Sequence, residues 1–122
     1  MHILIADGNQ RDSDRFYNII PLALPGSKCY ICASASYLED FLENFNLNYI
    51  FVGSFGNEMT LAELIETVRE YSDTIPVIHY AWSPSPDHID ACKKLGCYAV
   101  VERVDDVQTA VNSLKEVFDN HS

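Results

Sequence analysis

Three groups of residues have the types and spacings to do chemistry: four cysteines, a glycine-rich loop and two charged side chains at strand ends. Cys29-Tyr30-Ile31-Cys32 has CxxC spacing, and Cys92 and Cys97 could complete a zinc set. The CxxC pair, however, lies inside an apolar run that reads as a strand. Residues i and i+3 of a strand point to opposite faces, which scatters the ligands. A redox CxxC opens a helix, so that reading fails too. The cysteines are expected to be small apolar core residues in a reducing compartment. Gly53-Ser54-Phe55-Gly56-Asn57 superficially resembles a phosphate loop, but lacks the Gly-Lys-Ser/Thr ending. His2, His79, His88 and His121 have no motif spacing, and His79, in mid-strand, is expected to be a packed or half-buried core residue. No catalytic set, metal site or cofactor is predicted.

The charged pair is Asp7, at the end of the first apolar run, and Arg103, at the end of the last. Asp7 either caps the loop that follows it or pairs with Arg103 across a shared crevice. As a lone carboxylate it is a poor anchor for a metal such as Mg²⁺.

The elements that position these residues follow from periodicity. Residues 2–6, 29–33, 49–52, 77–81 and 98–101 are short apolar runs of strand type. Helical stripes lie between them. Asp12-Ser13 can cap a helix carrying Phe16, Ile19 and Ile20, ended by Pro21 and Pro25-Gly26. Ser36 with Glu39 makes a capping box for Leu38, Phe41, Leu42 and Phe45, and Thr60 with Glu63 makes one for Leu61, Leu64, Ile65 and Val68. Pro86 suits the first turn of a helix marked by Ile89, Cys92 and Leu95, with Gly96 as its C-cap. Asp105 or Asp106 caps a last helix, with Val107, Ala110, Val111, Leu114, Val117 and Phe118 on its apolar side and residues 118–122 as its terminus.

Strand–helix alternation predicts an α/β fold: a doubly wound (βα)5 sheet of five parallel strands in one domain, residues 1–122. In such sheets the functional crevice lies beyond the C-terminal ends of the strands. That places Asp7 to Asn9, residues 53–57, 81–83 and 102–104 around it. Composition adds exclusions. The chain is 48% hydrophobic and carries 18 acidic against 8 basic side chains, a net charge of −10. Such a surface repels nucleic-acid phosphate and anionic lipid. No apolar run nears the roughly 18 residues that span a bilayer. The first residues lack the basic start and cleavage site of a signal peptide, so a cytoplasmic location is expected.

Order, length and spacing together resemble the receiver domain of two-component response regulators, a fold of flavodoxin-like architecture. The motif residues depart from that family. Where a receiver ends its first strand with two acidic residues that help hold Mg²⁺, this chain has Asp7 and Gly8. The phospho-acceptor position is Gly53, which offers no nucleophile. The hydroxyl residue ending the fourth strand is Ala81, followed by Trp82 in place of a small residue. The lysine of the fifth strand is Arg103, which keeps the charge with a different hydrogen-bond fork. The proline after it is Val104, so the 103–104 bond is expected to be trans. The switch aromatic is Val100. A flavodoxin-like FMN site is disfavoured because residues 7–11 hold too few Ser/Thr side chains to cradle a phosphate.

The resemblance implies a pseudo-receiver: a non-enzymatic, phosphorylation-independent signalling module acting through a protein partner or a second copy. Asp7, Gly8, Gly53, Ala81, Trp82 and Arg103 would form its degenerate pocket, with Arg103 bonded to Asp7 and Trp82 covering part of the crevice. Its output face would be the fourth helix, fifth strand and fifth helix, with Lys93, Lys94, Tyr98, Asn112, Lys115 and Glu116 as contacts. The alternative is a ligand-sensing receiver domain of a DNA-binding regulator, in which a small molecule replaces phosphate.

Overall fold

Apolar runs too short for helices pair side by side, and the amphipathic segments between them pack on both faces. A computed structural model describes residues 1–121. The chain runs β1 (His2–Ala6), α1 (Gln10–Ala23), β2 (Lys28–Cys32), a 3₁₀ turn (Ala35–Tyr37), α2 (Leu38–Asn44), β3 (Tyr49–Val52), α3 (Leu61–Tyr71), β4 (Val77–Ala81), α4 (Pro86–Leu95), β5 (Ala99–Glu102) and α5 (Val107–His121). The five strands form one parallel sheet in the order β2-β1-β3-β4-β5. The expected doubly wound architecture is therefore present.

The sheet separates two apolar layers, and strand alternation assigns each residue to one of them. Ile3, Ile5, Tyr49, Phe51, Ile78, Tyr80 and Val101 pack with α1 and α5 on one side. Leu4, Ala6, Cys32, Ile50, Val52 and Val77 pack with α2, α3 and α4 on the other. Cys29 packs with the first layer and Cys32 with the second, and all four cysteines are free thiols. This is the scatter that strand geometry predicts for a CxxC pair.

Several element ends differ from the sequence expectation. α1 begins at Gln10 because the Asn9 side chain, not Asp12 or Ser13, accepts the Asp12 N–H at 3.2 Å. Asp12 thereby falls inside the first turn. Pro21 lies within α1, near enough to its end that the helix continues to Ala23, and the Leu24 N–H still reaches the Ile20 carbonyl at 2.9 Å. The Ser36–Glu39 box does not form. Ser34 caps the 3₁₀ turn, the Glu58 carboxylate accepts the Ala35 N–H at 3.1 Å, and α2 starts after the turn without a side-chain cap. β5 starts at Ala99 rather than Tyr98. Leu95, the last residue of α4, and Val107, the first of α5, are exposed rather than part of the core.

Other expectations match. Thr60 and Glu63 form the reciprocal capping box of α3, Pro86 opens α4 and Gly96 closes it at φ 115°. The Asp106 carboxylate accepts the Thr109 N–H at 2.8 Å at the start of α5. The expected terminus reaches Ser122, which lies outside the described residues. Among the described residues no helix is long and apolar enough to cross a membrane.

Candidate functional site

The residues that sit on the α1/α5 side of the sheet continue past its carboxyl edge as one cluster. Asp7 follows Ile5, Gly53 follows Phe51 and Arg103 follows Val101, each two positions on. The period-2 rule thus aims all three the same way as Tyr80. They gather where β1 lies between β2 and β3, the point at which strand order reverses and α/β sheets open a crevice.

Asp7 is 1% exposed and has a full set of partners. Its Oδ1 accepts the Asn9 N–H at 2.9 Å and faces the Ser54 N–H at 3.4 Å. Its Oδ2 accepts the Tyr80 hydroxyl at 2.6 Å and lies 3.7 Å from an Arg103 guanidinium nitrogen. Asp7 therefore both caps its loop and pairs with Arg103. The guanidinium also forms a close ion pair with Asp12 and stands 4.7 Å from the Tyr80 ring centre. Burial, then the bond to Asp7, holds the Tyr80 hydroxyl well above its ordinary titration range. Arg15 hydrogen-bonds the Val104 carbonyl, anchoring the chain beyond β5 to α1. The 103–104 bond is trans, as are all bonds among the described residues.

Gly53 is what allows this packing. A Cβ built there would lie 2.1 Å from Asp7 Oδ2 and 2.9 Å from a Tyr80 ring carbon. Such contacts would force Asp7 or Tyr80 to shift, so the space beside β3 is taken by the Asp7–Tyr80 pair as it stands. Gly8 is different: a Cβ there meets the Ser54 carbonyl oxygen at 3.4 Å, which a small shift accommodates.

Trp82 departs from expectation. It stands two residues beyond Tyr80, so its indole falls against the guanidinium on the same side, 5.9 Å from it, and is 55% exposed. It does not line the crevice. A cavity of about 600 Å³ remains open there, bounded by Asp7, Gly8, Asp12, Phe55, Glu58 and Arg103. Ala81, one position before Trp82, belongs to the opposite side of the sheet.

Mg²⁺ does not fit this arrangement. It needs several oxygen ligands in near-octahedral order. Asp7 and Asp12 are turned onto Arg103, and Glu58 is bonded to Ser34 and Ala35. Sequence reading missed Tyr80 and Asp12. The sequence points to Asp12 for a capping role that Asn9 fills. Tyr80 was one apolar strand residue among several, although a buried tyrosine hydroxyl must find an acceptor, and that requirement was the available signal.

The six residues expected on the output face are all exposed. Lys93, Tyr98 and Glu116 come together around a groove of about 440 Å³ between α4, β5 and α5, floored by Val100 and Val101. Lys94, Asn112 and Lys115 do not line it, and Asn112 accepts a hydrogen bond from Gln108 at 2.9 Å.

No protein-family model matches the sequence. No curated protein is significantly similar to it. Solved structures are. A CheY-like response regulator receiver domain protein from Methanospirillum hungatei JF-1 superposes with a TM-score of 0.77 at 20% identity, covering 98% of this chain and 94% of that one. The beryllofluoride-activated NtrC4 receiver domain dimer gives 0.79 at 17%, covering 99% and 98%. The signal receiver domain of a DNA-binding response regulator from Colwellia psychrerythraea 34H gives 0.78 at 15%, covering 98% of both chains. The chain thus has the fold of response-regulator receiver domains, five parallel strands and five helices.

Proposed function

We propose that this chain is a pseudo-receiver: a non-enzymatic module that carries a signal through protein–protein contact, independently of phosphorylation. The observation that carries this reading is the packing at Gly53. Gly53, at the position that the resemblance matches to a receiver's acceptor aspartate, carries no carboxylate, and a Cβ there would press on Asp7 Oδ2 and the Tyr80 ring. The Arg103 guanidinium engages both neighbouring carboxylates, Asp7 and Asp12, so neither is free to pair on a metal. Ala81 offers no hydroxyl and Val100 no switch aromatic, so the face built by α4, β5 and α5 has no route to a phosphoryl group. It is expected to bind constitutively. The Lys93–Tyr98–Glu116 groove is its centre, tyrosine being enriched at contact hot spots.

Two measurements test the reading. Intact mass after incubation with acetyl phosphate and Mg²⁺ should be unchanged, and an acid-labile gain of one phosphate would overturn phosphorylation independence. Reversing the charge of Lys93 and Lys94 together should weaken capture of a partner with little change in melting temperature. Retained binding, lost instead on altering Arg11 and Arg15 of α1, would place the interface elsewhere. The open crevice beside Asp7, Asp12, Glu58 and Arg103 favours a second reading, a ligand-sensing receiver domain of a DNA-binding regulator. A reading frame that continues into a DNA-binding segment would favour that alternative.

A further inference from the structure

On the opposite side of the sheet from Asp7 and Arg103, three side chains converge that the sequence keeps apart. His79 lies on β4, facing α3 and α4. His88 and Cys92 lie one turn apart on α4, at the i and i+4 spacing that stacks side chains on one helix face. One ligand atom from each comes within 4.8 Å of the other two. Among the described residues this is the only set of three or more His, Cys, Asp or Glu side chains to converge so closely.

The local geometry prepares each member as a ligand. His79 Nδ1 stands 2.9 Å from the Val52 carbonyl oxygen. A carbonyl can only accept, so Nδ1 carries the proton and Nε2 keeps its lone pair. A backbone carbonyl behind the imidazole is the usual outer partner of a metal-bound histidine, fixing both tautomer and ring direction. Cys92 Sγ lies 3.6 Å from His88 Nε2. Zinc bonds of about 2.0–2.1 Å to nitrogen and 2.3 Å to sulfur, at tetrahedral angles, separate N and S ligands by roughly 3.5 Å. The Cys92–His88 pair is already at that edge length. The other separations are at most 4.8 Å, so closing the set to that edge requires at most about 1.3 Å of movement. A thiol hydrogen bond to His88 accounts for the 3.6 Å contact alone, but not for an oriented His79 beside it.

We propose that His79, His88 and Cys92 form a binding site for a borderline-soft divalent cation, zinc in the first instance. Two imidazoles and a thiolate select zinc-like ions over Mg²⁺ or Ca²⁺, which demand oxygen. His79 and His88 line a cavity of about 250 Å³ together with residues 53–56, Met59 and Leu61, which leaves room for water or an added ligand to complete the shell. The ion would also serve the fold. Cys92 is the only buried residue of α4, so little apolar contact holds this helix. Coordination through His88 and Cys92 to His79 would fasten α4 to β4. The site itself does not depend on the signalling reading above.

The test uses the reduced protein with Zn²⁺ as probe, in competition with a chromophoric zinc chelator. One zinc per chain is expected, and Co²⁺ in its place should give tetrahedral absorption with a thiolate-to-cobalt band. His88→Gln, at an exposed helical position that should leave the fold intact by circular dichroism, should weaken zinc binding at least tenfold. His79→Gln and Cys92→Ser should do the same, whereas Cys29→Ser, on the other face of the sheet, should not. Alkylation of Cys92 should slow when Zn²⁺ is added, a readout that needs no variant. Failure to bind zinc in a one-to-one ratio, an unaltered affinity in His88→Gln, or a cobalt spectrum without the thiolate band would each overturn the proposal.

Discussion

Replacing Gly53 with alanine asks whether that glycine is kept for space. The added Cβ would sit 2.1 Å from Asp7 Oδ2 and 2.9 Å from the Tyr80 ring. Gly53 has no positive φ to lose, so any cost is steric rather than conformational. Asp7 is the group that must yield, and in turning away it gives up the 2.6 Å bond from Tyr80 and its approach to Arg103. A hydrogen bond to a charged group contributes about 1.5–3 kcal/mol, and overpacking a filled core costs about 1–3 kcal/mol. The expected loss is therefore about 3–5 kcal/mol. For a chain of this length that corresponds to a fall in melting temperature of roughly 10–20 °C. Urea unfolding of Gly53→Ala, measured alone and in an Asp7→Ala background, isolates the cause. Without the Asp7 carboxylate only the Tyr80 contact remains, and the cost should drop by at least about 2 kcal/mol. A loss below about 1 kcal/mol, or an equal loss in both backgrounds, would refute the claim that the Asp7–Tyr80 pair fills the space beside Gly53.

Three further outcomes are expected. Arg103→Met should cost about 3 kcal/mol in urea unfolding, because it leaves the buried Asp7 charge without its cation; a neutral substitution would mean the array is not held by charge. Burial raises the Cys32 and Cys97 thiols to about 11 and about 12 from an ordinary 9.0. The folded state thus retains protons that the unfolded state loses, and stability should be full below pH 9 and decline as pH rises through 9 toward 11–12. Cys32→Ala and Cys97→Ala should each flatten that decline, measured as urea midpoint against pH. The Thr109 side chain, then its N–H, hold the Asp106 carboxyl below its ordinary 3.8. The stability difference between the protein and Asp106→Asn should be present above pH 3.8 and vanish as pH falls below it; a difference that persists in acid would show that the cap does not depend on charge.

Patterns with a local cause were legible in the chain itself. A strand repeats every two residues and a helix every 3.6, so residues 2–6, 49–52 and 77–81 declared strands, and Leu61, Leu64, Ile65 and Val68 declared a helix. Alternation of the two implied the parallel sheet, and the sheet implied that Asp7 and Arg103 share a crevice at its carboxyl edge. The glycine at position 53 was equally plain, as a position without a side chain. Its reason was not, because the atoms that fill its place come from Asp7, 46 positions earlier, and Tyr80, 27 later. The first helix cap was not legible either: the sequence points to Asp12-Ser13, whereas Asn9 fills the role and the guanidinium of Arg103, 91 residues away, is the partner of Asp12. The His79–His88–Cys92 convergence lies further still from any motif. Only the spacing of His88 and Cys92 was visible in sequence. Bringing His79 to them depends on where the tertiary fold sets α4 beside the sheet, which no local rule decides.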